Sequence, residues 1–521
     1  MLYLIQGDEQ MAIPKDILAI ERPKNTIVIR TNKTEPPRYA VRSRVGCIYD
    51  HGRRIPKNGP IIGHIDVEAK KFIPVCPSDK KTSENNQHTK RLSIIEDVDI
   101  KDWANVVLAD RLFKPVLEEL KEFYEVHDAV QIYVISILRV CNKGVKDYEL
   151  QEEYSTSFLS ELYPNVPLSK NTVSTFLKNL GKAFSRIVLF MQKRVQQVNV
   201  DHHLLIDGTL KSNESRINSL SDYSRKALKK GTRDISVMYA FDLELKEPIC
   251  SKCYPGNMLD LTAYEDFITE NNITQGIIVG DKGFPASSAR KSFMDNPNLH
   301  FINPIKRDAK IIQELNLYEY DGALSNNDHI LYRKSQDTKS NKWLYSFKDL
   351  SLSSAEEKDY IHRTTKNKTF STEKYEKKKP EFGTIVLDTD LDLTPEIAFS
   401  SYNSRWEIEL VMRYYKHACE FDETRVHDDY SVIGSEFCDF LSSLLTYKMI
   451  NYFDKHNLFD TMNYKKIMKM LERAKKVNLP NKGWVLRKLS KNHEELLMKL
   501  DLIANADQDE KQDKGRSKKS A

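Results

Sequence analysis

Cysteine is scarce in this chain, and two kinds of segment are missing from it. Seven cysteines are scattered through 521 residues, which are too few and too dispersed for a disulfide framework. No apolar run is long enough to cross a membrane, and the opening "MLYLIQGDEQM" is too short and too acidic for a secretory signal. These absences exclude a disulfide-rich secreted protein and a membrane-spanning one, so we expect a cytosolic protein.

The only C-x-x-C motif in the sequence is Cys250 and Cys253, in "PICSKCYPG". It lacks the second cysteine pair that a zinc ribbon needs. On a strand, an offset of three residues points the two thiols to opposite faces. Metal binding by this pair is therefore the minor alternative.

The chain also has no large excess of charge of one sign, because the formal net charge is only +5. The basic residues are nevertheless concentrated in three stretches, 224–233, 362–380 and 465–488, as on a phosphate-binding surface. Solvated helix faces are the alternative interpretation of each stretch. With 40% hydrophobic and 30% charged residues, the composition is that of a folded globular protein.

Changes in composition and periodicity along the chain predict an α/β protein with six segments. They are a small β-rich module (1–76), a linker (77–101), a helical region (102–198), an α/β domain (199–429) with a β-rich insertion (about 308–381), a helical region (430–505) and a disordered tail (506–521). Within the α/β domain the predicted order β-β-β-α-β-α-β indicates a mixed sheet covered by helices.

One short helix in the first helical region is a candidate for DNA recognition. In "VPLSKNTVSTFLKNLGKAF" (166–184), Ser169 is the expected N-cap of an amphipathic helix that stops near Gly181. The helix resembles the second helix of a helix-turn-helix, with Lys170, Asn171 and Ser174 pointing outward. An ordinary surface helix is the alternative.

Two aspartates follow buried strands of the α/β domain. Asp207 follows the apolar run of "LLIDGTL", and Asp281 follows that of "IIVGDKGF". The carboxyl edge of an open α/β sheet is where such folds place their ligands. A single aspartate at this position is often only a turn former or a helix cap. Two of them, each with a glycine close behind, favour a ligand site.

A third acid lies on a predicted helix in "SYNSRWEIELVMRYYKHACEFD" (401–422). At about 100° per residue, Tyr402, Arg405, Glu409 and Lys416 fall within an arc of about 60° on the rim of the apolar face. A salt-bridged surface is the alternative explanation. Arg413 is near this arc, and we assign it to surface ion pairs rather than to phosphate binding.

Three carboxylates from separate elements would form a hard-oxygen site suited to Mg²⁺ or Mn²⁺. Two such ions about 4 Å apart assist hydrolysis and strand transfer at a phosphodiester. Without cations, the carboxylates of Asp207, Asp281 and Glu409 would repel one another. Arg405 and Lys416 could then bind the non-bridging oxygens of a nucleic-acid backbone, and Tyr402 could bond to the same phosphate.

The pattern Tyr402-x2-Arg405-x3-Glu409-x6-Lys416 resembles the Y-R-E-K signature of IS4-type DDE transposases. Asp207 and Asp281, which are 74 residues apart, resemble the first and second aspartates of that family. The resemblance covers about residues 200–450. It implies an RNase H-like catalytic core, a mixed five-stranded sheet with flanking helices, interrupted by the β-rich insertion.

The resemblance also implies an activity, namely metal-dependent cut-and-paste transposition of an insertion sequence. A transposase of this kind binds terminal inverted repeats as a homodimer, cleaves the DNA ends and transfers the strand into target DNA. It would hold two Mg²⁺ or Mn²⁺ ions with Asp207, Asp281 and Glu409, and it would act in the prokaryotic cytoplasm, associated with the nucleoid. Membranes are not expected partners.

A tryptophan in the insertion stacks on a flipped base in related enzymes, which often release the DNA end through a hairpin. Trp343 is the candidate for this role, and Tyr345 is the second choice. A place in the core of the insertion is the alternative for Trp343.

Two other functions remain open on the sequence alone. One is a non-catalytic or domesticated DNA-binding protein that keeps the fold; the intact acidic triad argues against it. The other is an RNase H-like metal-dependent nuclease without strand transfer, which would need the same carboxylates.

Overall fold

The structure is a computed structural model, and it describes ten stretches of the chain. They are residues 13–32, 36–50, 53–74, 98–213, 215–224, 231–258, 260–281, 286–405, 423–424 and 426–504. The chain divides into two compact units, Met1–Asp97 and Val98–Ala521. Most of the predicted linker and the predicted tail (506–521) lie outside the described residues. No helix within the described stretches is long and apolar enough to cross a membrane.

The first unit contains a short helix and one four-stranded antiparallel sheet. The elements are α1 (Lys15–Leu18), β1 (Thr26–Arg30), β2 (Tyr39–Asp50), β3 (Arg53–Asp66) and β4 (Lys71–Pro74), paired in the order β1-β2-β3-β4. Ile17, Val28, Val41 and Ile65 form its small core. The short β-like runs of the sequence are strands here, as predicted.

The second unit begins with a short strand and six helices. They are β5 (Ile100–Asp102), α2 (Ala104–Lys121), α3 (Val126–Cys141), α4 (Leu150–Thr156), α5 (Leu159–Leu162), α6 (Lys170–Lys182) and α7 (Phe184–Val195). Apolar residues recur at helical spacing, and those of α2, α3, α6 and α7 are buried together. The helical periodicity of this region is confirmed.

The strands and helices of the α/β part follow in the predicted order. They are β6 (His203–Ser212), β7 (Asp222–Tyr223), β8 (Arg233–Asp242), β9 (Glu247–Pro255), α8 (Asp260–Glu270), β10 (Gln275–Val279), α9 (Arg290–Asp295) and β11 (Asn298–Ile305). Strand β10 is parallel to both β6 and β11, whereas β8 is antiparallel to β6 and to β9. The sheet is therefore mixed.

The sheet is twice as wide as the five strands predicted for it. Beyond β11 the chain forms α10 (Lys310–Glu314), β12 (Gly322–Leu324), β13 (Asn327–Asp337), β14 (Lys342–Asp349), α11 (Leu350–Lys366), α12 (Thr372–Lys378) and β15 (Thr384–Thr389). The ten-stranded sheet has the order β12-β13-β14-β15-β11-β10-β6-β8-β7, with β9 also on β8. The strands of the insertion extend the main sheet because β15 pairs with β11 on one side and β14 on the other.

The insertion was predicted to be β-rich, but its second half is helical. Helix α11 begins where the Asp349 side chain accepts a hydrogen bond from the Leu352 amide at 2.9 Å, as an N-cap residue does. Helix α12 follows after a short turn, and the chain returns to the sheet at Thr384. The basic stretch 362–380 is therefore carried by two helices.

The C-terminal region was predicted to be helical and contains a β-hairpin as well. The α/β domain contains one more helix, α13 (Pro395–Asn403), and the elements of the C-terminal region are α14 (Asp429–Lys455), α15 (Tyr464–Glu472), β16 (Lys475–Leu479), β17 (Gly483–Leu486) and α16 (Lys491–Lys499). Strand β16 pairs with β17 and with β5. Asn481 and Gly483 adopt positive φ in the connecting turn, so "NLPNKGW" held a turn signal that the helical interpretation overlooked.

Helices α6 and α14 pack with their backbones in contact. A Cβ atom on Gly434 would lie 2.1 Å from the carbonyl oxygen of Leu177, and one on Gly181 would lie 1.8 Å from that of Tyr430. Only a hydrogen atom fits at either position, so the two glycines fix the approach of these helices. Helix α14, which is almost entirely buried, joins the N-terminal helices to the sheet.

Candidate active site

Asp207 lies on β6, and Asp281 lies two residues beyond the end of the neighbouring parallel strand β10. The register of β6 and β10 pairs Leu204 with Ile278 and Leu205 with Val279. Continued by two residues, this register places Asp207 beside Asp281, about one strand spacing (about 4.8 Å) away. Strand β10 ends at Val279, while β6 continues to Ser212. Asp207 is thus inside its strand rather than at its end, but it is at the edge of the parallel part of the sheet.

Both aspartates project from one face of the sheet. Alternation along a strand puts Asp207 on the face of Leu205, and Asp281 on the face of Val279. Leu205 and Val279 belong to one apolar cluster with Ala398 and Tyr402 of α13. This cluster supports the site from below, and the amide of Gly208 donates to Oδ1 of Asp207 at 2.8 Å.

Helix α13 lies on this face, and it ends earlier than the sequence predicted. A single helix was expected to carry Tyr402, Arg405, Glu409 and Lys416, whereas α13 ends at Asn403 and Arg405 lies in the turn that follows. The Ser404 hydroxyl donates to the carbonyl of Ser401 at 2.5 Å. Side chains of this kind compete with the helical backbone for hydrogen bonds, which accounts for the early end.

The end of α13 places Arg405 against one of the two acids. A guanidinium nitrogen of Arg405 lies 3.3 Å from Oδ1 of Asp281, with both side chains partly exposed. The guanidinium also lies 5.6 Å from the centre of the Tyr402 ring. Tyr402 itself is largely buried in the cluster below. The structure therefore brings Tyr402, Arg405 and Asp281 together, and Asp207 lies on the strand that neighbours β10.

Glu409 and Lys416 lie outside the described residues, in the segment 406–422. Both ends of that segment are held near the acids. At its start, Arg405 contacts Asp281; at its end, Glu423 pairs with Ser212 of β6. The amide of Thr424 donates to the Ser212 carbonyl at 2.9 Å, which ties the returning chain to the strand of Asp207.

A buried charge network lies four residues beyond Asp207 on β6. The ammonium of the fully buried Lys211 is 2.7 Å from Oε1 of Glu436 and 2.7 Å from Oδ2 of Asp439. Burial by itself would lower the pKa of Lys211, but the carboxylates of Asp439 and Glu436 raise it above its ordinary value. The Thr424 hydroxyl donates to Glu436 at 2.7 Å. The network thus joins β6, α14 and the chain that returns after residue 422.

Trp343 lies on the same face of the sheet as the two acids. The register runs from Trp343 to Thr389, then to Ile302 and Val279 across β14, β15, β11 and β10. Its ring is half-buried, and the ammonium of Lys334 lies 4.5 Å from the ring centre. Three strand spacings, about 14 Å, separate it from β10.

Tyr345 is fully buried and therefore does not present its ring to a base. Its hydroxyl donates to the carbonyl of Leu393 at 2.7 Å and accepts from the amide of the same residue at 2.8 Å. Burial raises the pKa of this phenol. These contacts fix the chain that enters α13. Tyr345, the second candidate for base stacking, therefore has a structural role.

Lys170 and Asn171 are exposed at the start of α6. Helix α6 begins after Ser169, but the Ser169 hydroxyl bonds to the Thr172 hydroxyl at 2.7 Å rather than to a backbone amide. Lys170 and Ser174 line a cavity of about 420 Å³ together with Lys146 and Asp428. Lys170 and Ser174 therefore border a cleft, while the opposite side of α6 packs on α14.

A second group of potential metal ligands, which no sequence pattern had indicated, lies near the start of β6. Nitrogen and oxygen atoms of His202, Asp242 and Glu244 lie within 4.8 Å of one another. Burial raises the pKa of Asp242, and His202 Nδ1 lies 2.6 Å from it. The amides of Glu244 and Leu245 donate to Asp242 at 2.9 Å. These atoms already hold the β8–β9 turn, so a structural role accounts for them.

His203 fixes helix α13 over the sheet, and the sequence reasoning missed this residue as well. Its Nε2 lies 2.9 Å from the Ser401 hydroxyl, and its Nδ1 lies 2.8 Å from Glu244. His203 projects from the face of Asp207 by strand alternation. The adjacent histidines at the start of "HHLLIDGTL" were the available signal.

Cys250 and Cys253 lie on β9 and have no disulfide. Burial raises the pKa of both thiols. Within the described residues neither cysteine belongs to a group of potential metal ligands.

Comparison with known families gives a direct match to the sheet and its flanking helices. Residues 199–432 match the family model described as the transposase DDE domain. The match supports a DDE transposase. It spans Asp207, Asp281, Tyr402 and Arg405, and it ends at the beginning of α14.

Two further comparisons add little. No curated protein sequence matches the chain significantly. Among solved structures, the chain is similar to a cryo-EM structure of a piggyBac transposase synaptic complex with hairpin DNA, at 13% identity over 71% of this chain and 79% of that chain. The TM-score of 0.37 is too low to establish a common fold.

Proposed function

We propose that the protein is a DDE transposase that cleaves DNA ends and transfers them into target DNA. The observation that carries the proposal is that Asp207 and Asp281 each follow, by two positions, one member of the pair Leu205–Val279 on the neighbouring parallel strands β6 and β10, with Arg405 against Asp281. The match of residues 199–432 to a transposase DDE domain supports the same function. A nuclease that does not transfer strands would use the same acids, so strand transfer has to be measured separately.

The proposed catalytic core is RNase H-like. Its support is the mixed sheet in which β6, β8, β9, β10 and β11 follow the chain order β-β-β-α-β-α-β. The two acids lie at the carboxyl edge of the parallel pair, where open α/β sheets bind ligands. The remaining strands widen the sheet away from this strand pair and carry Trp343.

The donor set fits Mg²⁺ or Mn²⁺. Asp207 and Asp281 offer hard carboxylate oxygens, are not fully buried, and each follow the paired residues Leu205 and Val279 by two positions. Glu409 is the proposed third ligand, because a chain of four residues keeps its Cα within about 14 Å of that of Arg405. When two such ions are bound, they assist attack on the scissile phosphodiester and departure of its leaving oxygen.

The cationic and aromatic residues of the site are proposed to hold the DNA. Arg405 binds a non-bridging phosphate oxygen with its planar fork of donors, and Lys416 binds as a point charge. Tyr402 lies below the Arg405 guanidinium and orients it. Trp343 stacks on an extruded base, because its half-buried ring lies on the catalytic face.

Recognition of the element is assigned to the exposed start of α6. Lys170 and Asn171 would contact the terminal inverted repeats, Lys170 at the backbone and Asn171 at a base edge. We further propose an IS4-type insertion sequence, on the basis of Tyr402, Arg405, Glu409 and Lys416, a homodimer on the paired DNA ends, and action at the prokaryotic nucleoid.

The test compares cleavage and binding by variants of the three acids. Asp207→Asn, Asp281→Asn and Glu409→Gln should each reduce Mg²⁺-dependent cleavage of DNA carrying the flanks of the coding segment by at least about 10³-fold, because each removes a ligand of the ions that assist the reaction. Binding of the same DNA, measured by fluorescence anisotropy, should change little.

Asp308→Asn is the matched control. Asp308 is exposed and follows the parallel strand β11 at the same edge of the sheet, but it is outside the proposed site. This variant should cleave and transfer strands at the wild-type rate. Full cleavage by Asp207→Asn or by Asp281→Asn would remove that residue from the catalytic set, and cleavage without strand transfer by the wild type would identify a nuclease.

A further inference from the structure

We propose that helices α11 and α12, together with the turns that flank α12, form a basic arm that binds the backbone of the DNA duplex in the active site. The basic arm is defined as residues 350–381. The proposal rests on the proposed DNA-cleaving function and adds a binding surface to it. Position, charge and rigidity of the arm support it independently.

The basic arm projects from the edge of the sheet that carries the two acids. The register places Asp281 level with Pro304 of β11, and Pro304 pairs with Leu387 of β15. The arm leaves the sheet after Asp349 and returns at Thr384, a few residues farther along the direction in which β10 points. Its two attachment strands, β15 and β14, are two and three strand spacings from β10, or about 10 and 14 Å.

This spacing suits a single duplex. A helical turn of B-form DNA is about 34 Å long. A duplex with its scissile phosphate at Asp207 and Asp281 would therefore pass the arm within about half a turn. The contact requires no second DNA molecule and no movement of the sheet.

The basic arm has eight lysines and arginines and six acids, a net charge of +2. All eight basic residues lie between Lys358 and Glu381, where they outnumber the acids by eight to four. Helix α11 buries none of its residues, and neither does α12. A concentration of exposed positive charge of this kind is the electrostatic footprint of a polyanion site.

Four lysines of the arm have no ion-pair partner among the residues that the structure describes. Two of the arm's acids pair with other basic residues of the arm: Asp359 lies 3.5 Å from Arg363, and Glu381 lies 3.5 Å from Lys378. The four unpaired and exposed lysines are Lys366, Lys368, Lys374 and Lys377. Within the described arm, therefore, no ion pair competes with phosphate for them.

The arm is held rigidly on its other side. Glu356 accepts two hydrogen bonds from Arg307, at 2.9 and 3.1 Å, and one from the Gly383 amide at 2.8 Å. The Tyr360 ring packs on Phe382 with centroids 5.4 Å apart, and the Tyr375 hydroxyl bonds to Glu357.

The lysines of α12 face away from these anchors. Lys374 and Lys377 are about 100° and 160° away from Tyr375 around the helix. Because the arm is already fixed through Tyr375, Tyr360 and Glu356, little backbone ordering remains to oppose DNA binding.

The test is the salt dependence of DNA binding by the full-length protein. Replacing Lys366, Lys368, Lys374 and Lys377 together by Gln should lower the slope of log Kd against log salt by about 0.9 for each phosphate that is no longer neutralised. We expect a decrease of about 2 to 4, measured by anisotropy with a fluorescein-labelled duplex of random sequence. Because these side chains are exposed and unpaired, the melting temperature should not fall, and this is checked in parallel.

The control removes the same charge outside the basic arm. Lys246, Lys455, Lys491 and Lys499 are exposed; Lys246 lies in the turn after β8, Lys455 ends α14, and Lys491 and Lys499 lie on α16. Their replacement by Gln should leave the slope within about 1 of the wild-type value. An equal decrease for both quadruple variants would show a general effect of charge and would contradict the proposed binding of DNA by the arm.

The arm and the proposed function fail in different ways. An unchanged slope in the arm variant, with wild-type protein that still binds and cleaves DNA, refutes the arm alone. If the wild type neither binds nor cleaves DNA, both proposals are wrong.

Discussion

Arg405 occupies the position at which a metal ion and a phosphate would meet. Its guanidinium contacts Asp281 at 3.3 Å, and a positive group there offsets the repulsion between neighbouring carboxylates. A cation bound at Asp281 would take over the carboxylate, and the guanidinium would turn to the DNA. In the proposed transposase, the same side chain would therefore offset carboxylate repulsion and bind a phosphate of the DNA.

This exchange predicts a change in metal affinity when the arginine is removed. Arg405→Gln should bind Mn²⁺ more tightly in the absence of DNA, by up to about fivefold, since a partly exposed ion pair contributes about 0.2–1 kcal/mol. DNA affinity should fall in the same variant, because it binds one phosphate fewer. Electron paramagnetic resonance of free Mn²⁺ measures the first effect and anisotropy the second.

Arg333→Gln is the control, because Arg333 pairs with Asp321 at 3.1 Å in the insertion, distant from the acids in the strand order. It should change neither affinity. Weaker Mn²⁺ binding by Arg405→Gln would mean that the arginine supports the site only as a structural element.

At the residue level, the sequence indicated where both aspartates lie along the chain relative to the strands, and their catalytic role stays a prediction. An apolar run followed by an acid is a local signal, and each acid comes two residues after one member of the pair Leu205–Val279. The group formed by His202, Asp242 and Glu244 was missed because it depends on a turn between two antiparallel strands. Such a contact is set by tertiary pairing, which one strand does not reveal.

Helices α6 and α14 show how two glycines determine the contact between elements. Helix α14 crosses the interior between the N-terminal helices and the sheet, and it touches α6 with its backbone at Gly434. On the other side, Phe440 stacks on Tyr239 and Tyr447 packs edge-on against Phe241. A shift of α14 at the glycine contact would therefore be transmitted to β8, the strand beside Asp207.

We predict that Gly434→Ala destabilises the protein by at least about 1–3 kcal/mol, because a new methyl group would overlap the Leu177 carbonyl and force the helices apart. Chemical denaturation followed by circular dichroism measures the destabilisation. Gly322→Ala is the control: its Cβ would lie no closer than 3.8 Å to Tyr332, so stability should change by less than about 0.5 kcal/mol. Equal effects of the two substitutions would contradict the glycine contact.

At the element level, strong periodicity was predictive and terminal positions were not. The strands β6, β8, β9, β10, β11 and β15 and the helix α8 appear where the sequence indicated them. The helix through Tyr402 was extended too far because Ser404 closes it with a side-chain bond. Helices α11 and α12 were not predicted because neither buries a residue, so their many charged residues leave no clear apolar periodicity in the sequence.

On the scale of the whole molecule, one sheet carries Asp207, Trp343 and both attachments of the basic arm, while Tyr402 and Arg405 lie on α13 and in the turn after it. Asp207 and Asp281 belong to the inner strands β6 and β10 or follow them directly. The sheet's width of ten strands was not predicted from the sequence. Strand β15 pairs with β14, which comes earlier in the chain, and a local sequence pattern does not reveal which strand an edge will pair with. The family match over residues 199–432 covers the whole sheet.

Whether Asp207 and Asp281 hold divalent ions together is tested most directly by crystals of the wild-type protein soaked in Mn²⁺. We predict an anomalous peak within about 2.2 Å of carboxylate oxygens of both residues, and no such peak in Asp281→Asn crystals. An ion bound only at His202, Asp242 and Glu244, with none between the two aspartates, would contradict the proposed metal site.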